Sequence, residues 1–590
     1  MRESGFYKLS RRLLGYRPWI FITSFFFNII IFTHSAATAY FVREILNSVE
    51  TGVRSGTNVL SGVKLFLAGI IGVALIRIIA ITICALMDNV QGFYYENLLR
   101  NNIMKIIYKQ KNIKNIVGKS EKVFEIIDDD VSACAFPAEL LAEVSGYVVY
   151  SLIAVSSLLI INWRVTIYIF VPLSLAIFII RIASKKIKGN RKANREIHEK
   201  VSETISDVAN LVQTIKISGA HDSVLEHYEK LNKKRLDVML KDKLFESSLQ
   251  AITGSTVYIG TAIMMLIVAK SMMQGKFPIG DFSMFVYYLG TLADCVDRII
   301  ELVSESKQAE VSYDRIIELV GKQNEKELTA HSDLRAFKDL EKFKYECIEK
   351  TPLKELDVRN LTACYDDRNG VHDINFTVKP GEVLAIAGGI GSGKSTLLNV
   401  LMGVVPKDSG QILWNGTEIQ NQNKVFIPPN VAYTPQIAGM FSSTIRENLL
   451  LGKPAAEVEI NEALYSAVFE GDVAEMGNGL DTQVGSRGSR LSGGRKQRLA
   501  MARMFIHDAE LYVMDDSSSA IDTETEKELW NRFEKNIAKK KFSCIIASNK
   551  SYVLQRADKI IFLKNGHIID CGKADELSGR CEEFAKIYKW

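Results

Sequence analysis

Two short stretches of this chain carry residue types suited to phosphate chemistry. The first, Gly388-Gly389-Ile390-Gly391-Ser392-Gly393-Lys394-Ser395, fits G-x-x-x-x-G-K-[ST], a loop whose backbone N–H groups wrap nucleotide phosphates. Lys394 is expected to reach the terminal phosphates and the Ser395 hydroxyl to hold Mg²⁺, with Thr396 following into a helix. The second stretch, Leu511-Tyr512-Val513-Met514-Asp515-Asp516, is an apolar run ending in two carboxylates. Asp515 is suited to bind Mg²⁺ through water, and Asp516 to orient an attacking water. Together they predict a site for a nucleotide with Mg²⁺.

Both stretches need a sheet to position them. The run 383–387 reads as a buried strand and 396–402, ended by Gly403, as a helix. A helix start in that place offers free N–H donors and a positive dipole end to an anion. The run 511–516 reads as a further strand, ending where α/β sheets place ligand sites. Residues 351–590 are therefore expected to form an α/β P-loop nucleotide-binding domain, opened by Pro352 and the strand-like 356–361.

The first half differs in character. Six apolar stretches, at about 18–42, 63–89, 138–161, 163–184, 246–272 and 281–304, each come near the ~20 residues a spanning helix needs. They predict an all-α six-helix transmembrane domain over 1–320, joined to the second half by a linker, 321–350, rich in Lys and Glu. Asn162-Trp163-Arg164 reads as a tight external turn between the third and fourth stretches. The long polar connections carry the basic residues: Arg100, Lys105, Lys109, Lys111, Lys114, Lys119 and Lys122 in one. The other carries Lys185, Lys186, Lys188, Arg191, Lys192 and Arg195. This asymmetry predicts that they and both termini are cytoplasmic. Lys8, Arg11, Arg12 and Arg17 read as an uncleaved basic entry into a membrane.

Arg77 and, on the sixth stretch, Asp294, Asp297, Arg298 and Glu301 fall at or near membrane depth. Such residues line polar pathways or pair with one another; a translocation path and an Asp297/Glu301–Arg298 ion pair are both open readings. His34 reads as a satisfied structural group. The net charge of +5 names no nucleic-acid partner, and the eight cysteines, without metal-ligand spacing, read as reduced thiols.

Between the two phosphate-chemistry stretches comes Arg490-Leu491-Ser492-Gly493-Gly494-Arg495-Lys496-Gln497-Arg498. Leu491-Ser492-Gly493-Gly494 before a helix resembles the signature of ATP-binding cassette (ABC) transporters. With six expected spans ahead of it, the chain resembles one half of a type IV ABC exporter, the multidrug and lipid exporter group. The resemblance covers essentially all 590 residues. It implies that Tyr365 stacks on adenine and that Gln436 contacts Mg²⁺ and senses the membrane domain. It also implies that Ser492, Gly493 and Gly494 face a nucleotide held by a second chain. Ser519-Ala520-Ile521-Asp522 matches the loop that crosses between the two nucleotide domains.

The departures from the family pattern carry as much information. An active site in that family has Glu at position 516 and His at position 549; here they are Asp516 and Asn549. Asp516 is one methylene short, retracting its carboxylate by roughly 1 Å, a misplacement that can cost on the order of 10²-fold in rate. Asn549 can hydrogen-bond a γ-phosphate but cannot carry charge. Ser486 stands where the family has Glu, and Arg495 where its signature has Gln.

The resemblance thus implies one subunit of a heterodimeric, ATP-driven exporter. Its own site, with Gln436, Asp516 and Asn549 in the catalytic places, is expected to hydrolyse ATP weakly, while its signature serves a partner half-transporter. It would sit in a plasma membrane, leaning towards a bacterial inner membrane, and move a drug, lipid or peptide outward. Force would pass through connections near 111–121 and 205–220. A homodimeric exporter and an ATP-gated or regulatory membrane protein remain the alternatives.

Overall fold

The computed structural model describes residues 5–56, 58–109, 120–274, 277–331, 349–364 and 370–588. They form two compact units, a helical one within residues 1–337 and an α/β one whose main part begins at residue 338.

The helical unit opens with α1 (Gly5–Leu14), which buries Phe6, Leu9 and Leu13 along one stripe. Five long helices follow: α2 (Pro18–Ser55), α3 (Leu60–Lys109), α4 (Val131–Ile217), α5 (His221–Met273) and α6 (Ile279–Val320). α2 starts on a proline, whose missing N–H is no loss in a first turn, and stops at Gly56 in the left-handed conformation. Each helix outruns its apolar stretch, because the flanking polar segments are themselves strong helix formers. The expected turn at 162–164 is therefore a single-residue break in α4. Asn162 leaves the helical region at φ −159° and ψ 99°. Its Oδ1 then accepts the Val165 N–H at 3.2 Å, so the residue that ends one helix caps the next.

Among the described residues, Pro18–Ser55, Leu60–Lys109 and Val123–Ile167 are long and apolar enough to cross a membrane, and Tyr258–Ala269 is a shorter apolar helix. Leu65, Ile78, Leu152 and Ile160 point outward along them, a surface suited to lipid. Inside, Tyr150 and Tyr288 meet edge to face at 5.9 Å beside fully buried Phe285. His34 Nδ1 lies 2.5 Å from Ile31 O, a local structural bond. Arg298 pairs with Glu301 at 2.7 Å, as one reading expected, but its other partner is Glu143 of α4 at 3.2 Å rather than Asp297. The start of the expected linker is tied to this unit: Asn102 Nδ2 donates to Leu328 O and Ala330 O, each at 2.9 Å.

The α/β unit contains two sheets. β1 (Leu356–Cys364), β2 (Gly370–Val378), β4 (Ser409–Trp414) and β5 (Thr417–Glu418) form an antiparallel sheet in the order β2-β1-β4-β5. The larger sheet runs β10-β9-β3-β8-β7-β6. Its members are β3 (Val383–Gly388), β6 (Val431–Thr434), β7 (Leu511–Asp515), β8 (Ser543–Ala547), β9 (Lys559–Lys564) and β10 (His567–Gly572). All its pairings are parallel except β9 with β10. β7 and β8 are buried along their whole length, which accounts for their continuous apolar runs. The helices α7 (Lys394–Leu401), α8 (Gly493–Phe505) and α9 (Thr523–Lys540) follow β3, the 485–492 loop and β7. β3 and β7 both run parallel to β8, which lies between them, so their carboxyl ends open on the same edge of the sheet.

Candidate functional site

The phosphate-loop residues follow the end of β3 and lead into α7. Gly388 closes the strand so tightly that a Cβ would sit 2.3 Å from Leu563 O; no other residue fits. Gly393, at φ 104°, is the N-cap of α7. Around Gly389 and Gly391 an added Cβ would meet nothing within 4 Å, and Ile390 is fully exposed, so the mouth of the loop is open. Ser392 is buried; its carbonyl accepts the Gly566 N–H at 3.0 Å, and among the described residues its hydroxyl has no partner. Thr396 lies half-buried in the first turn of α7.

Lys394 folds back over the loop, donating to Gly388 O at 2.7 Å and Gly389 O at 3.1 Å. Burial pushes its pKa down, opposed by the charges of Asp516 and Asp515. Ser395 Oγ donates to Asp515 Oδ1 at 3.0 Å, joining the hydroxyl and carboxylate that the sequence assigns to Mg²⁺. Asp515 is 5% exposed; burial pushes its pKa up, the Ser395 bond and Lys394 pull it down, and Asp516 pushes it up. An open glycine loop, an ammonium aimed along it and a hard-oxygen pair at its base fit a nucleotide's phosphates with Mg²⁺.

The residues placed in catalytic positions surround this cradle. Asp516, at φ 41°, donates its N–H to Ala547 O at 2.9 Å. Gln436 Nε2 reaches Asp516 Oδ2 at 3.4 Å, a long bond. Burial pushes the Asp516 carboxyl up, and the Gln436 bond, Lys550 and Lys394 draw it down. Asn549 behaves in a way sequence reasoning missed. Its Oδ1 accepts the Gly388 N–H at 3.0 Å, and its Nδ2 donates to Gly388 O at 2.8 Å. The carboxamide thus exchanges two hydrogen bonds with Gly388, a match an imidazole, with one donor and one acceptor on opposite edges, cannot make in that form. Lys550 beside it reaches Ser518 O at 2.8 Å and Glu526 Oε2 at 2.7 Å, fixing the segment after Asp516.

The signature residues stand elsewhere in the same unit. Ser492 is the N-cap of α8, its hydroxyl accepting the Arg495 N–H at 3.4 Å. A Cβ on Gly494 would lie 2.9 Å from Ala520 O, so this glycine permits a close approach. Gln497 locks that approach, accepting the Ala520 N–H at 2.9 Å and donating to Ser519 Oγ at 3.0 Å. Arg495, the residue out of pattern, bonds Asp472 Oδ1 at 2.7 Å, and Arg498 lies 2.6 Å from Asp472 Oδ2. Ser486 opens a short 3₁₀ turn whose next residue, Arg487, donates its N–H to Ser442 Oγ at 3.3 Å. Tyr365 lies outside the described residues, as does nearly all of the 111–121 connection.

The structure therefore brings together Gly388 to Ser395, Asp515, Asp516, Gln436 and Asn549, and keeps Ser492, Gly493 and Gly494 on a separate helix start. Comparison with known proteins gives a matching picture. The ABC transporter family matches residues 371–519, and the ABC transporter transmembrane region matches residues 21–294. The β-(1→2)glucan export ATP-binding/permease protein NdvA of Agrobacterium fabrum is 31% identical over 391 residues, 66% of this chain and 63% of that protein's length. The chain thus matches under two thirds of that relative. An ATP-dependent lipid A-core flippase of Pseudomonas fluorescens is 27% identical over 438 residues, 73% of this chain and 69% of its own. A solved bacterial Atm1-family ABC exporter with ATP bound shares the fold with a TM-score of 0.78 at 19% identity, covering 98% of both chains.

Proposed function

This chain is an ABC transporter, with a transmembrane region followed by an ATP-binding region, and we propose that it is one subunit of a heterodimeric, ATP-driven exporter. Its helical unit crosses the membrane six times with both termini in the cytoplasm, as the apolar stretches and the basic connections suggest. Names of bacterial glucan and lipid A-core transporters among its relatives suit an inner-membrane exporter. ATP binding closes the nucleotide domains of the two chains and turns the pathway outward; hydrolysis resets it.

The observation that carries the asymmetric reading is Asn549. Its carboxamide is committed to Gly388 on both edges. It therefore holds the phosphate loop in shape, which supports nucleotide binding, and supplies no titratable group, which hydrolysis in this family uses. Asp516 adds a carboxylate one methylene short of the usual reach. Lys394, Ser395 and Asp515 would hold the phosphates and Mg²⁺ of one ATP at a slow site; Mg²⁺ there would neutralise developing phosphate charge. Ser492, Gly493 and Gly494 are intact and rigidly backed, and serve the site built on the partner's phosphate loop.

Ser492→Arg and Asp516→Asn test this in the assembled transporter. Ser492→Arg should lower ATP turnover by about 10²-fold, as loss of an aligned donor set does, and Asp516→Asn by less than about threefold. The reverse order would place the main catalysis on this chain and overturn the reading.

A further inference from the structure

Helix α1 presents one face that packing leaves uncovered. Phe6, Leu9 and Leu13 recur at helical spacing and are buried in the helical unit. Lys8, Arg11 and Arg12 lie on the other side and are exposed. α1 contains no acidic residue, and among the described residues none of these three cations forms an ion pair. Lys8 stands three and four positions before Arg11 and Arg12, so like charges are neighbours on the helix surface and repel. An anion docked on this face relieves that repulsion.

The position of the face selects the anion. Pro18, four residues beyond the end of α1, opens a helix long and apolar enough to cross a membrane. Arg17, at φ 55°, makes the break between the two helices, and its Nη1 donates to Tyr94 Oη of α3 at 3.0 Å. Trp19, at the start of the span, is 55% exposed, and Tyr7 of α1 is 58% exposed. Exposed rings at the entry of a span mark the level of lipid headgroups. A cationic face at that level meets phosphate-bearing headgroups before any soluble acidic partner. The apolar stripe of α1 is already buried in the protein, so the contact it offers a membrane is charge without deep insertion.

The same helix is clamped to the segment that leaves the helical unit. A Cβ on Gly5 would sit 2.5 Å from Tyr313 Oη of α6, so the start of α1 lies directly against that helix. Tyr16, buried just after α1, meets the His331 ring edge-on at 5.3 Å. Leu328 is buried beside them, and Asn102 of α3 grips the carbonyls on either side of Thr329. Holding α1 therefore holds residues 327–331, from which the chain leads on to its α/β unit.

We propose that Lys8, Arg11 and Arg12 form a docking face for anionic phospholipid headgroups, and that the docked membrane surface steadies residues 327–331 through α1. This goes beyond the export reading and does not depend on it.

Binding is read on the full-length chain in a non-ionic detergent, by native mass spectrometry. The probes are dioctanoylphosphatidylglycerol, dioctanoylphosphatidylcholine and soluble glycerol 3-phosphate. Phosphatidylglycerol should bind at least about tenfold more tightly than phosphatidylcholine. Lys8→Gln/Arg11→Gln/Arg12→Gln should bring the two within about twofold. Removing three exposed cations of α5 instead, by Lys230→Gln/Lys233→Gln/Lys234→Gln, should leave the preference unchanged. Lys8→Arg/Arg11→Lys/Arg12→Lys keeps the charge and should keep the preference, which separates a lost headgroup contact from a misfolded helix. Equal binding of the two lipids in the wild type, or a preference that survives the triple Gln change, would overturn the docking face. Glycerol 3-phosphate binding as tightly as phosphatidylglycerol would make it a small-anion site and overturn it too. In nanodiscs, amide hydrogen exchange over 327–331 should be about threefold slower with phosphatidylglycerol present than with phosphatidylcholine alone, and the triple Gln change should remove the difference. Exchange indifferent to the lipid would overturn the link to this segment.

Discussion

The phosphate-loop face and the signature face of the α/β unit are held in contrasting ways. On the first, polar groups spend their hydrogen bonds on one another: Lys394 on loop carbonyls, Ser395 on Asp515, Asn549 on Gly388. On the second, Ser492 does no more than cap its own helix, while the groups behind it are locked. Gln497 bonds Ala520 and Ser519, and Asp472 receives Arg495 and Arg498. The family-typical Glu and His are replaced on the first face, by Asp516 and Asn549, while the second departs from the pattern at Arg495. A loop latched by its own side chains is suited to retain nucleotide, whereas a helix start backed by buried pairs is suited to press on a nucleotide held by another chain.

The sharpest way to break this contrast is to repair the first face. Asp516→Glu with Asn549→His, read as ATP turnover of the chain alone, should raise the rate by about 10²-fold if reach and a titratable group are what the site lacks. No gain would mean that the contrast has no catalytic content. Next in size is Lys394→Ala. Removing the ammonium that lies along the phosphate loop should weaken ATP binding at this chain's site by roughly 10–100-fold, measured by equilibrium binding of a fluorescent ATP.

The second face is tested through its backing. Asp472→Ala removes the carboxylate that two guanidiniums share, leaving Arg495 with Glu475 and Arg498 with Val468 O, and should cost about 1–3 kcal/mol in denaturant unfolding of the α/β unit. A cost near zero would mean that Arg495 is a surface residue without structural work. The smallest effect returns to the first face. Burial raises the Asp515 pKa, so its carboxylate is protonated more readily in the folded state than in the unfolded. That term favours folding below the ordinary carboxylate range and is lost as pH rises through the raised pKa, leaving the buried charge as a burden at neutral pH. Asp515→Asn should therefore raise the Tm of the nucleotide-free protein by about 2–4 °C at pH 7, and the gain should vanish under acidic conditions.

How much of this was legible in the sequence depended on how local the cause was. The strand before Gly388 and the buried β7 were readable because both are short apolar runs bounded by glycine or carboxylates. The start of α7 at Lys394 came two positions earlier than its apolar pattern suggested, since the cap is set by Gly393 rather than by hydrophobic spacing. Helix lengths in the first half were underread for a related reason: hydropathy ends where the apolar residues end, while the helices run on through their Lys- and Glu-rich flanks. The bonds of Asn549 to Gly388 and of Arg495 to Asp472 were invisible, because a side-chain pairing across the fold leaves no periodicity.

The most direct test is ATP turnover by this chain purified alone in lipid, with its oligomeric state determined on the same sample. Negligible turnover, or no stable dimer, is the expected result if the competent site is built on a partner's Glu and His. Robust turnover that Asp516→Asn abolishes would contradict it, and would make the chain a homodimeric exporter that works without those residues.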